Sequence, residues 1–175
     1  MPATATTRLL TLGDGTRVQI RPIRPADAEI EQQFIRLLSS TSRYQRFFHR
    51  LKELSPQLLY QFTHVDYSRD MALIATLGEP PDETQIGVAR FVRSDDQTRA
   101  EFAVVVADEW QGQGIATALL SQLFEAAEHS GIKRIEGAVL RDNQNMQKLM
   151  AGLGFCITPD PNDVGVLQVY KEISR

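Results

Sequence analysis

Residues 99–140 constrain the fold more than any other part of this chain. Arg99–Val106 is a strand pattern, with Glu101, Ala103 and Val105 on one face and Phe102, Val104 and Val106 on the other. It runs through the loop Asp108–Gly114 into a stretch where Ile115, Leu119, Leu120, Leu123, Phe124 and Ala127 form one helical stripe, ended by Gly131. Lys133–Leu140 reads as a second strand. A strand–helix–strand unit implies a parallel pair, because the helical crossover returns the chain in its original direction. The flanking segments imply the opposite arrangement. Ser94–Thr98 joins Gln85–Arg93 to Arg99–Val106 as a hairpin, and Gly13-Asp14-Gly15 joins Leu9–Leu12 to Val18–Ile23. The expectation is therefore an α/β (α+β type) fold with a mixed, mostly antiparallel central sheet and helices on both faces.

The remaining elements fall into place around that unit. Asp27 reads as the N-cap of a helix with Ile30, Phe34, Leu37 and Leu38 on one side, stopped by the serine-threonine run Ser39–Ser42. Tyr44–Phe48 reads as a short aromatic stretch. Ser55-Pro56 opens a helix carrying Leu58, Leu59 and Phe62. Met71–Leu77 is a continuous apolar strand. Asn143–Leu153 is a helix with Met146, Leu149, Met150 and Leu153 on one face, closed by Gly154. Phe155–Thr158 and Val164–Ile173 are the last strands. The order reads β-β-α-α-β-β-β-α-β-α-β-β in one domain spanning 1–175, with residues 1–7 as a loose end.

Composition removes several function classes. With 19 basic and 22 acidic residues the net charge is −3, so no basic surface for nucleic acid is expected. The single cysteine, Cys156, excludes an internal disulfide and a cysteine zinc site, and three scattered histidines offer no metal cluster. Cys156 itself reads as a buried small hydrophobe. No apolar run approaches the ~20 residues that span a bilayer, and the N-terminus lacks the shape of a signal peptide. The reading is a soluble cytoplasmic protein with no metal, nucleic-acid or membrane partner.

The loop at 104–117 carries the chemistry. The first N–H groups of a helix have no intrahelical partner and lie at the positive end of its dipole, and glycines at 112 and 114 let an anion approach the backbone. A P-loop would need Gly-Lys-Ser/Thr, but Ile115 follows Gly114. A dinucleotide fingerprint would need Gly or Ala at 117, where Thr117 stands. A purely structural turn and an acyl-CoA diphosphate loop remain.

For the latter, Gln111, Gly114 and Ala116 fit the pattern Gln/Arg-x-x-Gly-x-Gly/Ala, and Asn143, Met146, Leu149 and Gly154-Phe155 follow at the matching spacing. In these two elements, and in element order along nearly the whole chain, the sequence resembles the GNAT acetyltransferase superfamily. Asp14-Gly15-Thr16, Ile20–Pro25, Ser42-Arg43-Tyr44 with Arg46-Phe47-Phe48, Phe62-Thr63 with Val65-Asp66-Tyr67, and Met71-Ala72-Leu73 narrow the resemblance to the catalytic domain of bacterial Pat-type protein lysine acetyltransferases. Those enzymes often carry a further regulatory domain, for which 175 residues leave no room.

The resemblance implies acetyl-CoA as co-substrate and a protein lysine as acceptor. Only a neutral amine attacks a thioester. With a lysine pKa of ~10.4, neutralising it at pH 7 costs roughly 4–5 kcal/mol, which a positioned base can offset. Glu101 is the candidate base, at the place matching the family's general base; read from the residues alone, it is a strand-end glutamate beside Arg99. Glu136, Asp108 and Glu109 are further acidic candidates. By resemblance, Val104, Val105 and Val106 would offer backbone groups to the pantetheine arm. Gln111, Gly112, Gln113, Gly114, Ile115, Ala116 and Thr117 would hold the diphosphate. Asn143 would bond the pantetheine, cap its helix, or both.

Two departures from the family pattern stand out. Met150 occupies the place where a tyrosine commonly protonates the leaving thiolate, with Tyr170 as a substitute to consider. Gln111 and Gln113 stand where basic residues are frequent, so backbone amides would carry the binding. Tyr44–Phe48 would line the acceptor side by resemblance, with Phe47 and Phe48 as core packing. Two alternative functions are acetylation of a small amine and acyl-CoA binding without catalysis.

Overall fold

The computed structural model describes residues 6–173. The strands are β1 (Arg8–Thr11), β2 (Arg17–Pro22), β3 (Met71–Leu77), β4 (Thr84–Arg93), β5 (Arg99–Val106), β6 (Arg134–Leu140), β7 (Cys156–Pro159) and β8 (Val166–Glu172). The helices are α1 (Ala28–Leu37), α2 (Ser40–Phe47), α3 (Pro56–Thr63), α4 (Ile115–His129) and α5 (Gln144–Gly152). The strands form one sheet in the order β1-β2-β3-β4-β5-β6-β8-β7. Every neighbouring pair is antiparallel except β5–β6, the pair that α4 connects. The mixed sheet expected from the sequence is the one observed.

Alternation along the strands feeds two apolar layers. Leu73, Ala89, Phe91, Phe102, Val104 and Val106 pack against α4 residues Ile115, Leu119, Leu120 and Leu123. The intervening Ala72, Ile74, Val88 and Val105 pack on the opposite face against Phe34, Ile35, Leu38 and Leu54. The α1–α3 layer therefore covers the side to which Val105 and, by its parity along the strand, Glu101 point.

Three expectations need correcting. The run Ser39–Ser42 does end α1 at Leu37, but it also starts a helix that the aromatic reading of 44–48 missed. Ser39 Oγ accepts the N–H of Ser42 at 3.1 Å, and Phe48 in the left-handed conformation terminates α2. Asp27 stands at the N-cap of α1 without capping it; its carboxylate instead takes two guanidinium N–H groups of Arg21 and the N–H of Arg24. Cys156 is exposed, because it opens a four-residue edge strand. Of residues 1–7, Thr6 and Thr7 are described; both are exposed, and the Thr6 carbonyl accepts Gln122 Nε2 at 2.8 Å. Residues 1–5 lie outside the described part. Among the described residues no helix is long and apolar enough to cross a membrane.

Candidate active site

β5 and β6 are paired only where they begin. Arg99, Ala100 and Glu101 lie opposite Arg134, Ile135 and Glu136, and the ladder stops there. Beyond it β5 stays with β4 through Val106, and β6 stays with β8 through Leu140, so the two strands diverge. The V between them is a cleft of about 400 Å³, walled by 102–106 and 137–139 and bounded by Ser42 and Arg46 of α2 and by Asn143, Met146 and Leu149. Gly137 sits just past the crotch. A Cβ there would lie 3.0 Å from the Phe102 ring and 3.1 Å from the Phe102 carbonyl oxygen. Gly137→Ala is expected to destabilise the fold by about 1–3 kcal/mol through overpacking, read as a lower urea midpoint at unchanged m-value.

Strand parity decides which backbone groups face the cleft. Ala107 N–H donates to the Ile86 carbonyl at 2.8 Å, which makes 107 and 86 a hydrogen-bonded pair. Two residues back, Val105 and Val88 form the next such pair in the same register. Val105 is thus engaged on both backbone groups with β4. Val104 and Val106 turn theirs toward the cleft, and the Val106 carbonyl already accepts Gln111 Nε2 at 2.9 Å. The Gln111 side chain also reaches Ser42 Oγ at 3.3 Å, so it braces the loop against α2.

At the wide end of the V stands the N-terminus of α4. Gly112 and Gly114 have φ of +77° and +88°, the left-handed region where a side chain is strained. These turns aim the loop amides outward. Among the described residues, the six consecutive N–H groups from Gly112 to Thr117 take no partner, and the first regular bond is Ala118 N–H to the Gly114 carbonyl at 3.0 Å. Six free donors at the positive end of a fifteen-residue helix suit a diphosphate. Asn143 caps α5, its Oδ1 accepting Met146 N–H at 3.2 Å, and it borders the cleft.

The acidic candidates separate by their partners. Asp108 accepts from Ser39 N, Ser39 Oγ and Ser42 Oγ at 3.0, 2.7 and 2.9 Å. Burial works to raise its carboxyl, but these donors outweigh it and hold the group below the usual carboxylate range. Asp108 therefore ties α2 to the loop. Glu136 lies between Arg99 Nη1 at 3.8 Å and Arg134 Nε at 3.6 Å. Arg99, two residues before Glu101 in sequence, is thus directed to Glu136. Among the described residues Glu101 has neither ion pair nor hydrogen bond, and it is exposed at the crotch where the ladder ends.

The profile of the GNAT acetyltransferase domain matches residues 17–156. The chain belongs to the GNAT acetyltransferase family. It is 36% identical to an acetyltransferase of Pseudomonas aeruginosa over 153 residues, covering 87% of this chain and 82% of that one. It is also 36% identical over 155 residues to the acetyltransferase Pat of Mycolicibacterium smegmatis, covering 88% of this chain. The match spans only 45% of the Pat length. The crystal structure of the GNAT domain of S. lividans PAT superposes with a TM-score of 0.87 at 30% identity, covering 95% of this chain and 97% of that domain. GNAT acetyltransferases use acetyl-CoA. Along one wall of the cleft of this member run main-chain groups of Val104 and Val106 that β4 does not pair, and free amides stand at its wide end.

The structure gathers most residues singled out in the sequence. Val104, Val105, Val106, Gln111, Gly112, Gly114, Ile115, Ala116, Thr117 and Asn143 all line the cleft; Gln113 is exposed beside it, and Glu101 stands at its closed end. Met150 is fully buried in the core and does not reach the cleft. Tyr170 lies on β8 in register with Glu136, under the Arg134 guanidinium at 3.9 Å, also away from it. Arg46, which the resemblance put on the acceptor side, borders the cleft. Sequence reasoning passed over Trp110, Ser42 and Gly137 as lining residues. Their only signal was proximity in the fold, which no spacing along the chain encodes.

Proposed function

We propose that this acetyltransferase moves the acetyl group of acetyl-CoA directly to a lysine side chain of a protein, with Glu101 as general base. The observation that carries the reading is the one-ended β5–β6 ladder. It leaves a cleft open along Val104 and Val106, with unpaired amides at one end and an unpaired carboxylate at the other. In this reading the N–H groups of Gly112–Thr117 hold the diphosphate, and Val104 and Val106 pair their main chain with the pantetheine arm. The Asn143 amide orients that arm while capping α5. Glu101 accepts the proton of the incoming ammonium, directly or through one water, so that the neutral amine attacks the thioester carbon; the C–S bond breaks as the C–N bond forms, and CoA leaves as a thiolate that takes up the second proton shed by the nitrogen. Holding both reactants in one cleft supplies the rest as orientation. The resemblance to Pat-type enzymes supports protein lysine as the acceptor.

The test is calorimetric titration with acetyl-CoA, followed by a CoA-release assay on lysine-bearing proteins, free amino acids and polyamines. Expected are saturable binding and release that favours the proteins. Faster release with a free amine would assign a small-molecule substrate; binding with no release for any acceptor would make the chain an acyl-CoA sensor. Gly114→Val gives a loop-specific check. A Cβ at 114 meets no atom within 4 Å, so the cost is the conformation, roughly 1–2 kcal/mol at positive φ. The loop turns to relieve it and misaims the amides. The expected result is a rise of about tenfold or more in the acetyl-CoA dissociation constant with the fold retained.

A further inference from the structure

The α1–α3 layer above the closed end of the cleft holds a charged cluster that the proposed transfer does not use. Glu31, on α1, is fully buried and accepts Gln85 Nε2 at 3.0 Å and Arg90 Nη2 at 3.3 Å. Arg90 also lies 4.0 Å over the Phe62 ring. Arg46 projects from α2 into the same region, 4.7 Å over Phe47 and 5.9 Å from the Phe62 centroid, and borders the cleft beside Ala103 and Val104.

Arg46 differs from the other arginines around it. Arg21, Arg43, Arg90 and Arg93 all end on protein acceptors. Among the described residues Arg46 takes no hydrogen bond and no ion pair, although it is only partly exposed. Ring faces attract its charge but satisfy none of its five N–H donors. A cation withdrawn from water without an acceptor is costly, and such a cost persists where a ligand supplies the acceptor. Burial and the facing Arg90 hold the guanidinium down to about 10, while Glu31 and Glu101 pull the other way, so it stays charged at neutral pH. Glu31 is already paired. Of the two carboxylates that face these two guanidiniums, Glu31 is taken by Arg90 and Glu101 serves the incoming ammonium, so neither is left to pair with Arg46.

We propose that Arg46 binds a carboxylate carried by one of the two reactants, a few atoms from the reacting amine or thioester, and so sets specificity for carboxylate-bearing substrates. The carboxylate has two sources: the far end of a dicarboxylic acyl thioester, or an acidic group next to the acceptor amine. The inference rests on the acyl-transfer reading above, but it is measured as a ratio between substrates rather than as activity.

One arm compares succinyl-CoA with butyryl-CoA, using a simple alkylamine acceptor. The other compares peptides whose lysine is flanked by glutamates with peptides flanked by glutamines, using acetyl-CoA. In one arm the carboxylate form is expected to win in kcat/KM by about tenfold or more, the lower range for a charge-assisted hydrogen bond. Arg46→Met should collapse that ratio toward one, and Arg46→Lys should retain part of it. Melting temperatures establish that both variants fold. Dissociation constants for the same four ligands give the same comparison if no turnover occurs, which separates failure of the transferase reading from failure of this one. Ratios near one in both arms for the wild type overturn the proposal. So does an equal loss on carboxylate and neutral substrates in Arg46→Met.

Discussion

Glu101→Gln is expected to keep acetyl-CoA binding and lose about 10²- to 10⁴-fold in turnover at pH 7, the usual contribution of a positioned general base. The loss should shrink as pH rises. At pH 7 about one lysine side chain in a few thousand is neutral, and that fraction grows about tenfold per pH unit until the amine pKa of ~10.4. A pH–rate profile of kcat/KM from 6.5 to 10 for wild type and variant measures both effects. Glu136→Gln is the companion measurement. Glu136 stands directly across the ladder from Glu101 but is held by Arg99 and Arg134, so its removal is expected to cost far less turnover. Undiminished activity of Glu101→Gln at pH 7 would remove Glu101 from the mechanism, and a larger loss in Glu136→Gln would move the base across the ladder.

Arg21→Met is expected to be the most destabilising single change in the fold. Arg21 is 6% exposed and donates to Asp27 at 2.7 and 2.8 Å and to Glu83 at 2.8 and 3.2 Å. Asp27 is itself buried. The guanidinium thus joins the start of α1 to the loop before β4. Removing the one cation leaves two carboxylates without their counter-charge, which costs about 3–5 kcal/mol and lowers Tm by about 6–20 °C for a chain of this size. The effect also depends on pH. Burial works to raise the Asp27 carboxyl, but the Arg21 hydrogen bonds and the Arg24 N–H outweigh it, so the folded value lies below the unfolded one. Its contribution is complete above the unfolded value of about 3.9 and is lost as pH falls through the lower folded value. The Tm gap between wild type and Arg21→Met should therefore close below about pH 4. Replacing all three side chains at once, as Met, Asn and Gln, should recover much of the loss, because no buried charge is then left unpaired. A pH-independent gap would show that Arg21 acts through packing alone.

The two variants show how differently a motif reads before and after folding. Ile20–Pro25 is a mark of resemblance in the sequence, yet its arginine at 21 is an internal tie outside the cleft lining. Glu101 came from its place on a strand leading into the loop, and the fold adds the decisive fact that its neighbour Arg99 turns to Glu136. Three valines stood together as candidates for the pantetheine, and only the β4–β5 register separates Val105 from the other two.

What the chain determined by itself is local. Apolar periods of two and about 3.6, Asp-Gly turns, serine caps and glycines at helix ends each act within a few residues, so they define the strands, four of the five helices and the loop of free amides before α4. Which partner each side chain finds was decided only in the tertiary structure. Arg21 and Glu83, Ser42 and Asp108, and Arg46 and Glu101 are brought together across more than fifty residues by sheet register and layer packing. The identity of a charge is written in sequence, but whether it is paired depends on where the folded backbone places the other charges.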